Sequence, residues 1–145
     1  MFGKSIVIAV GLVFGAAVTP AVAADAIEAR QAILKAIGDD TRPVAAMLKG
    51  EAPFDLAKVK AALATQIDGA AKLPAHFPDN SRTGNTEASP RIWAERARFD
   101  GLLADLGAKA RAADAAITDE ASLKANFPKV LGACKACHDD FRVKK

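Results

Sequence analysis

Apolar side chains recur every three or four residues through four separate segments of this 145-residue chain. That spacing lines them up along one face of an α-helix, because an α-helix completes a turn every 3.6 residues. Alanine, which has the highest helix propensity, is the commonest residue, whereas β-branched and aromatic residues are scarce. The pattern predicts an all-α fold and excludes an all-β one. The predicted helices cover approximately residues 25–49, 55–72, 89–117 and 118 to the end of the chain.

Residues with strong capping or turn preferences mark the ends of these segments. Asp55 is a good N-cap for the second helix, and Ser89 followed by Pro90 is a strong start signal for the third. Pro43 and Pro128 lie inside the first and fourth segments, where a proline removes a backbone hydrogen bond. We therefore expect Pro43 to kink or break the first helix and Pro128 to kink the fourth.

Each predicted helix has one apolar face that must be buried against the others. Four such helices with mostly short connections favour an antiparallel four-helix bundle. A helix of about 20 residues is about 30 Å long, so the bundle can enclose a flat cofactor. The residues predicted to face the interior are Ile27, Arg30, Leu34, Ile37, Thr41, Val44, Leu48, Leu56, Val59, Leu63, Ile67, Ala70, Ile92, Arg96, Phe99, Leu103, Leu106, Ala110, Ala113, Ile117, Leu123, Phe127, Val130, Cys134, Cys137 and Phe141.

The first 23 residues have the layout of a secretory signal peptide. Lys4 precedes an uncharged apolar run over residues 5–18, and the small residues at 21–23 resemble a signal-peptidase site of bacterial type. An anchoring transmembrane helix is the alternative, but it needs about 20 apolar residues and this run has about 14. We predict cleavage after Ala23, with Ala24 as the next candidate, export to the periplasm, and a mature domain of residues 24–145 with no membrane span.

The charge distribution argues against two classes of partner. The formal net charge is +3, and no basic cluster is longer than the terminal Lys144-Lys145 pair. Nucleic-acid-binding and membrane-surface proteins instead carry a basic patch or stripe. The sequence therefore predicts neither a nucleic-acid partner nor a membrane-surface partner.

The string Cys134-Lys135-Ala136-Cys137-His138 has the C-x-x-C-H spacing of a c-type haem attachment site. Residues three or four positions apart share one face of a helix, so Cys134 and Cys137 can form thioethers with the two vinyl groups on one edge of a porphyrin. His138 can then coordinate the iron. The motif predicts one covalently bound haem c, a group attached outside the cytoplasm, which agrees with the predicted export.

Three other interpretations of the two cysteines are weaker. A zinc site would need two more ligands at matching spacing, and the only other histidine is His76. A redox-active C-x-x-C pair normally opens a helix in a βαβ unit, which this sequence does not predict. The third alternative is a purely structural pair of cysteines.

Beyond the motif, the C-terminal string CKACHDDFR resembles the class II c-type cytochromes, which comprise cytochrome c-prime and its low-spin c-556-type relatives. Class I members mostly carry the motif near their N-terminus instead. RQAILKAIG resembles the first helix of the class II family, KGEAPFD its turn into the second helix, and SPRIWAERARFD the opening of its third. The last string is similar to the c-556-like branch. The resemblance implies a four-helix bundle with a single haem c.

In this family the first helix supplies the residue that faces the iron on the distal side, and low-spin members have a methionine there. The matching residue here is Leu34, which has no donor atom. The resemblance therefore implies a five-coordinate, high-spin iron with Leu34 as its distal cap and room for NO or CO. Met47 and His76 are the alternative sixth ligands, but Met47 lies about 20 Å further along an unbroken helix and His76 lies in a predicted loop.

Two arginines are candidates for the surroundings of the haem. Arg30 is on the interior face of the first helix, and a haem propionate is a suitable bidentate acceptor for a buried guanidinium, a role that the resemblance supports. The resemblance also implies that Arg142 lies close to the proximal His138, where it could tune the iron or limit access to it. The alternatives are an Arg30 that extends to solvent at a bundle edge and a solvated Arg142. No partner for Arg96 is evident, so it is assigned to a bundle edge or an interface.

These features predict a periplasmic mono-haem cytochrome that exchanges single electrons with periplasmic redox partner proteins. The alternative is a dedicated NO-binding cytochrome c-prime with no essential role in electron transport. An enzyme is the weakest hypothesis, because peroxidase chemistry needs a distal acid–base residue and Leu34 offers none. Members of the family often form homodimers through the first two helices, and Ala57, Ala61 and Ala64 would permit such a close approach.

Overall fold

The computed structural model describes residues 20–143. Most of the predicted signal peptide lies outside the described residues, and its predicted cleavage point after Ala23 falls within the first described helix. The helices are α1 (Pro20–Leu48), α2 (Leu56–Lys72), α3 (Arg91–Ala94), α4 (Arg96–Ala116) and α5 (Glu120–Phe141). Residues 73–90, here called the α2–α3 connection, contain two 3₁₀ turns, Leu73–His76 and Asp79–Ser81.

The four long helices form an antiparallel four-helix bundle, as the sequence predicts. α1 packs on α2, α2 on α4, and α4 on α5. Within residues 20–143 no comparable packing joins α1 to α5, and a cavity lined by both helices lies there instead. The bundle therefore leaves room for a ligand between its first and last helices.

Side-chain caps begin two of the long helices. The Asp55 carboxylate accepts a hydrogen bond from the backbone N–H of Lys58 at 3.1 Å, which confirms the predicted N-cap of α2. The Asp119 carboxylate accepts one from the backbone N–H of Ser122 at 2.8 Å, and the Ser122 hydroxyl accepts one from the Asp119 N–H in return. This reciprocal pair sets the start of α5, and with it the orientation of the C-x-x-C-H motif about four turns later.

The two internal prolines do not break their helices. α1 continues through Pro43 to Leu48, and α5 continues through Pro128 to Phe141. Both prolines are exposed. Water can therefore satisfy the carbonyl that each proline deprives of its helical N–H partner. The break considered for Pro43 does not occur.

The prediction of one continuous third helix is wrong. The chain leaves helical geometry at Glu95, with φ −119° and ψ 43°, which separates the four-residue α3 from α4. Side chains on either side of this break reach into the α2–α3 connection. The Trp93 indole N–H donates to the Phe77 carbonyl at 3.1 Å, and the Arg96 guanidinium donates to the same carbonyl at 3.0 Å. The break thus lets both side chains reach one acceptor.

Buried side chains form two apolar clusters. The larger is built from α1, α2, α4 and α5, and it includes Val44, Met47, Leu63 and Phe127. The smaller lies beside the cavity. Its buried members are Ile37, Leu73, Phe77, Ile92, Phe99, Leu103 and Phe141. Most predicted interior residues are at least partly buried, with Leu34 at 40% and Leu56 at 36% exposure as the exceptions.

No described helix is long and apolar enough to cross a membrane.

Candidate cofactor site

The cavity between α1 and α5 has a volume of about 570 Å³. This falls within the range of small-molecule and cofactor pockets in proteins. Its walls are predominantly apolar. The apolar lining consists of Leu34, Ile37, Leu73, Phe77, Ala88, Ile92, Phe99, Leu102, Leu103, Leu106, Leu131 and Phe141. Such a wall favours a large, flat, mainly apolar ligand, because burying apolar surface is what stabilises its binding.

Cys134, Cys137 and His138 all line this cavity from the last two turns of α5. Both cysteines are free and half-buried, while the His138 side chain is exposed at the edge. The helix places the two sulfur atoms one turn apart on one face, with the imidazole beside them. Two thiols and one imidazole on the wall of an apolar cavity fit a porphyrin that is attached by thioethers and coordinated by histidine.

The surroundings of Cys134, Cys137 and His138 shift the pKa values of all three side chains. Burial raises the pKa of the Cys134 thiol, and it raises the pKa of Cys137 to about 11, where the nearby Cys134 and Asp140 charges add to the shift. Partial desolvation lowers the pKa of His138, as does the positive charge of Arg142, while Asp139 acts in the opposite direction. At neutral pH the thiols are therefore protonated and the imidazole is neutral. Neutral imidazole is the form that binds a metal.

From α1 the cavity lining contains two large apolar side chains among several polar ones. Leu34 and Ile37 line the cavity from this helix. The two alternative ligands considered from the sequence are both elsewhere. Met47 is 3% exposed within the larger apolar cluster, and His76 lies in a 3₁₀ turn where its carbonyl accepts a hydrogen bond from Arg30. Neither residue lines the cavity.

Arg30 is buried on α1 at 2% exposure and lines the same cavity. Four of its five N–H groups donate to the α2–α3 connection: to the His76 carbonyl, to the hydroxyl and carbonyl of Ser81, and to the Thr86 hydroxyl. The guanidinium also lies 4.7 Å from the centre of the Phe77 ring. Arg30 therefore ties the connection to α1. The predicted propionate contact stays a prediction.

Arg96 is the second arginine that secures this connection, a role that the sequence reasoning missed. Its guanidinium donates to the carbonyls of Pro74 and Phe77 at 2.6 and 3.0 Å and pairs with the Asp100 carboxylate at 2.9 Å. The sequence assigned Arg96 to a bundle edge or an interface because no partner was evident. Its partners include carbonyls of the α2–α3 connection, since irregular backbone leaves carbonyls that need donors. The signal in the sequence was an arginine on a predicted interior face beside a long irregular segment.

Arg142 lies directly after α5 and also lines the cavity. Its guanidinium donates to the Glu87 carboxylate, with an Nε–Oε2 distance of 2.7 Å. The adjoining backbone pairs as well, since the Val143 N–H donates to the Glu87 carbonyl at 2.8 Å and the Ser89 N–H donates to the Phe141 carbonyl at 2.9 Å. These contacts fasten the end of α5 to the α2–α3 connection at the mouth of the cavity.

Comparison with known proteins identifies similar sequences and structures. The sequence profile of the family described as Cytochrome C' matches residues 25–142. A cytochrome c' of Rhodopseudomonas palustris is 58% identical over 122 residues, which are 83% of this chain and 84% of the relative. A cytochrome c-556 of Agrobacterium fabrum is 41% identical over 141 residues, which are 95% of each protein.

Solved structures give the same result for the fold. The cytochrome c' structure from Rhodopseudomonas palustris has a TM-score of 0.81 at 58% identity and covers 83% of this chain and 98% of its own. A second similar structure is the nitric oxide complex of a mutant of cytochrome c prime from Alcaligenes xylosoxidans. It has a TM-score of 0.74 at 30% identity, with 84% of this chain and 97% of that chain covered.

Proposed function

We propose that this chain, which belongs to the cytochrome c' family, transfers single electrons in the periplasm through a haem iron whose distal position is open to NO or CO. Members of the family carry a covalent haem c, and this chain is a mono-haem c-type cytochrome. The haem supplies a metal centre that changes its charge by one electron. The residues of the chain determine how that centre is held, how much water reaches it and which face is left open.

Cys134, Cys137 and His138 are the residues that we assign to holding the haem. The two thiols line the cavity from one face of α5, and the neutral imidazole beside them has a free nitrogen lone pair to offer the iron. One helix would then provide both covalent bonds and the axial ligand. The relative positions of these three groups depend on a single rigid element, which favours small rearrangement during electron transfer.

The open distal position is inferred from Leu34. Its side chain lines the cavity from α1 and has no atom that can coordinate iron, whereas Met47 and His76 lie outside the cavity lining. The Leu34 side chain gives a bound water no hydrogen-bond partner, so it disfavours a tightly held water beside it. It still admits small neutral ligands. The nitric oxide complex of a similar cytochrome c prime supports this assignment.

Electron transfer requires that a partner can approach the haem closely. His138 and Leu34 both line the cavity and are both exposed, so the cavity is open to solvent beside them. A partner protein in the periplasm could therefore dock against this edge. The predicted signal peptide supports the location, and the family match begins at residue 25, just after the predicted cleavage point.

A dedicated NO-binding role is the second candidate, and the same Leu34 favours it. The two functions differ in whether the iron exchanges electrons rapidly with partners. The predicted homodimer is compatible with either function. Ala57, Ala61 and Ala64 are exposed on α2, where the dimer would form.

Optical spectra of the purified holoprotein test the proposal. We expect a broad high-spin spectrum for the reduced protein that sharpens and shifts when CO is added. We also expect reversible one-electron reduction in a potentiometric titration. A reduced spectrum that does not respond to CO would contradict the open position. Reversible CO binding without electron exchange with any periplasmic extract would favour the NO-binding role instead.

A further inference from the structure

Gly69 lies in α2 where there is no space for a side chain against α1. A Cβ atom at this position would lie 2.6 Å from Ile37 Cδ1, 3.2 Å from Ile37 Cγ1 and 3.1 Å from Ile33 Cγ2. All three distances are shorter than an ordinary van der Waals contact. A helix is less stable with glycine in its interior than with alanine. The close packing of α2 on α1 is the feature that compensates for this loss at Gly69.

The two isoleucines would have to yield to an added methyl group, Ile37 Cδ1 more easily than the Cγ atoms. Their Cγ atoms are bonded directly to Cβ, and a β-branched side chain in a helix has one strongly preferred χ1 rotamer. Ile37 Cδ1 can rotate, but Ile37 is 8% exposed and its free side is the cavity. Either α1 moves away from α2, or the Ile37 side chain moves into the cavity. Both responses change the shape of the cavity between α1 and α5.

We propose that Gly69 is a positioning residue that sets how deeply α1 presents Ile37 and Leu34 to the cavity, and so sets the room for a small ligand at the iron. Leu34 lies three residues before Ile37 on the same face, so a shift of α1 moves both. The inference rests on the proposed function, because it takes α1 as the side of the open coordination position. It adds a residue that lies outside the cavity lining and acts through Ile37.

The test is the rate of CO association with the ferrous holoprotein in matched variants. We expect Gly69→Ala to slow association about tenfold, equivalent to about 1.4 kcal/mol in the barrier. Adding Ile37→Val to this variant removes Cδ1, the atom at 2.6 Å, and should restore most of the rate. Gly101→Ala is the control, because that glycine is exposed on α4 and an added Cβ would meet nothing within 4 Å. Its rate should equal that of the wild type.

A folded Gly69→Ala protein with an unchanged rate would overturn the inference while leaving the proposed function intact. A slow variant that Ile37→Val does not rescue would also overturn it. If Gly69→Ala does not fold, Ile37→Val alone should speed association, and an unchanged rate would count against the role of Ile37. If the wild type itself binds no CO, the proposed function fails. In that case the ferric Soret band tests the role of Gly69 separately. The band should shift in Gly69→Ala but not in Gly101→Ala, and an unshifted band in Gly69→Ala would overturn the inference.

Discussion

The Arg142 guanidinium and the Glu87 carboxylate form an ion pair at the mouth of the cavity, with an Nε–Oε2 distance of 2.7 Å. Arg142 directly follows α5, four residues after His138, whereas Glu87 belongs to the α2–α3 connection. Both residues line the cavity, so their charges lie beside any group bound there. The pair joins the two segments that enclose the cavity mouth.

We expect Glu87→Gln and Arg142→Gln to shift the reduction potential in opposite directions. Removing a negative charge near the iron destabilises the oxidised, more positive form, so Glu87→Gln raises the potential. Removing the positive charge of Arg142 lowers it. Potentiometric titration measures both shifts, with Lys124→Gln as a control because Lys124 lies near the start of α5, far from the motif. Shifts of the same sign in the two variants would contradict this electrostatic interpretation.

Each of these two substitutions should lower the free energy of unfolding by less than about 1 kcal/mol, as for other exposed ion pairs.

Arg30→Met should destabilise the protein strongly. The substitution removes four donors from the α2–α3 connection and leaves buried acceptors such as the Ser81 carbonyl unpaired. We expect a loss of about 3 kcal/mol or more in the free energy of unfolding, measured with urea. Arg42→Met is the matched control on the same helix, since Arg42 is exposed and pairs with the partly exposed Asp39 carboxylate. A loss for Arg30→Met as small as that of Arg42→Met would show that the connection does not depend on this residue.

Removing both cysteines should prevent stable folding in the cell. Without attachment the protein must keep an apolar cavity of about 570 Å³ between α1 and α5, which within the described residues do not pack on each other as the other neighbouring helices do. A cavity of that size forfeits the contacts that stabilise a core. The variant Cys134→Ala/Cys137→Ala should therefore accumulate poorly in the periplasmic fraction. A cooperative melt of the apoprotein near the wild-type Tm would contradict this dependence.

Leu34→Met should convert the iron towards a six-coordinate, low-spin state. Methionine at this position would extend a thioether into the cavity from α1, towards the iron face that we assign to Leu34. Resonance Raman spectra of the ferric protein report the change through their spin-state bands. Leu34→Ala, the companion variant, should instead speed CO association because it removes the side chain over the open face. Leu34→Met spectra identical to those of the wild type would place Leu34 away from the iron.

The sequence predicted the bundle and the attachment motif because both depend on local spacing. The 3.6-residue periodicity indicated the four helices, and the i, i+3 spacing of Cys134 and Cys137 placed them on one face. The break at Glu95 could not be predicted in this way. It accompanies hydrogen bonds from Trp93 and Arg96 to the distant Phe77 carbonyl, which only the folded chain brings within reach.

The surroundings of Arg30 and Arg142, which both line the cavity, were also beyond local reasoning. Arg30 was expected on an interior face, and it is buried there, but its partners lie 46 to 56 residues away in an irregular segment. Glu87, the partner of Arg142, lies in the same segment. A helix pattern identifies which face is buried, but it contains no information on where an irregular connection will pass.

The coordination number of the iron in the resting protein is the most direct test of the open distal position. Electron paramagnetic resonance of the ferric wild-type holoprotein measures it without adding any ligand. With His138 as the only axial ligand from the chain and Leu34 over the opposite face, the spectrum should be dominated by a high-spin signal. A purely low-spin spectrum, with g-values typical of histidine–methionine or bis-histidine ligation, would contradict the five-coordinate site.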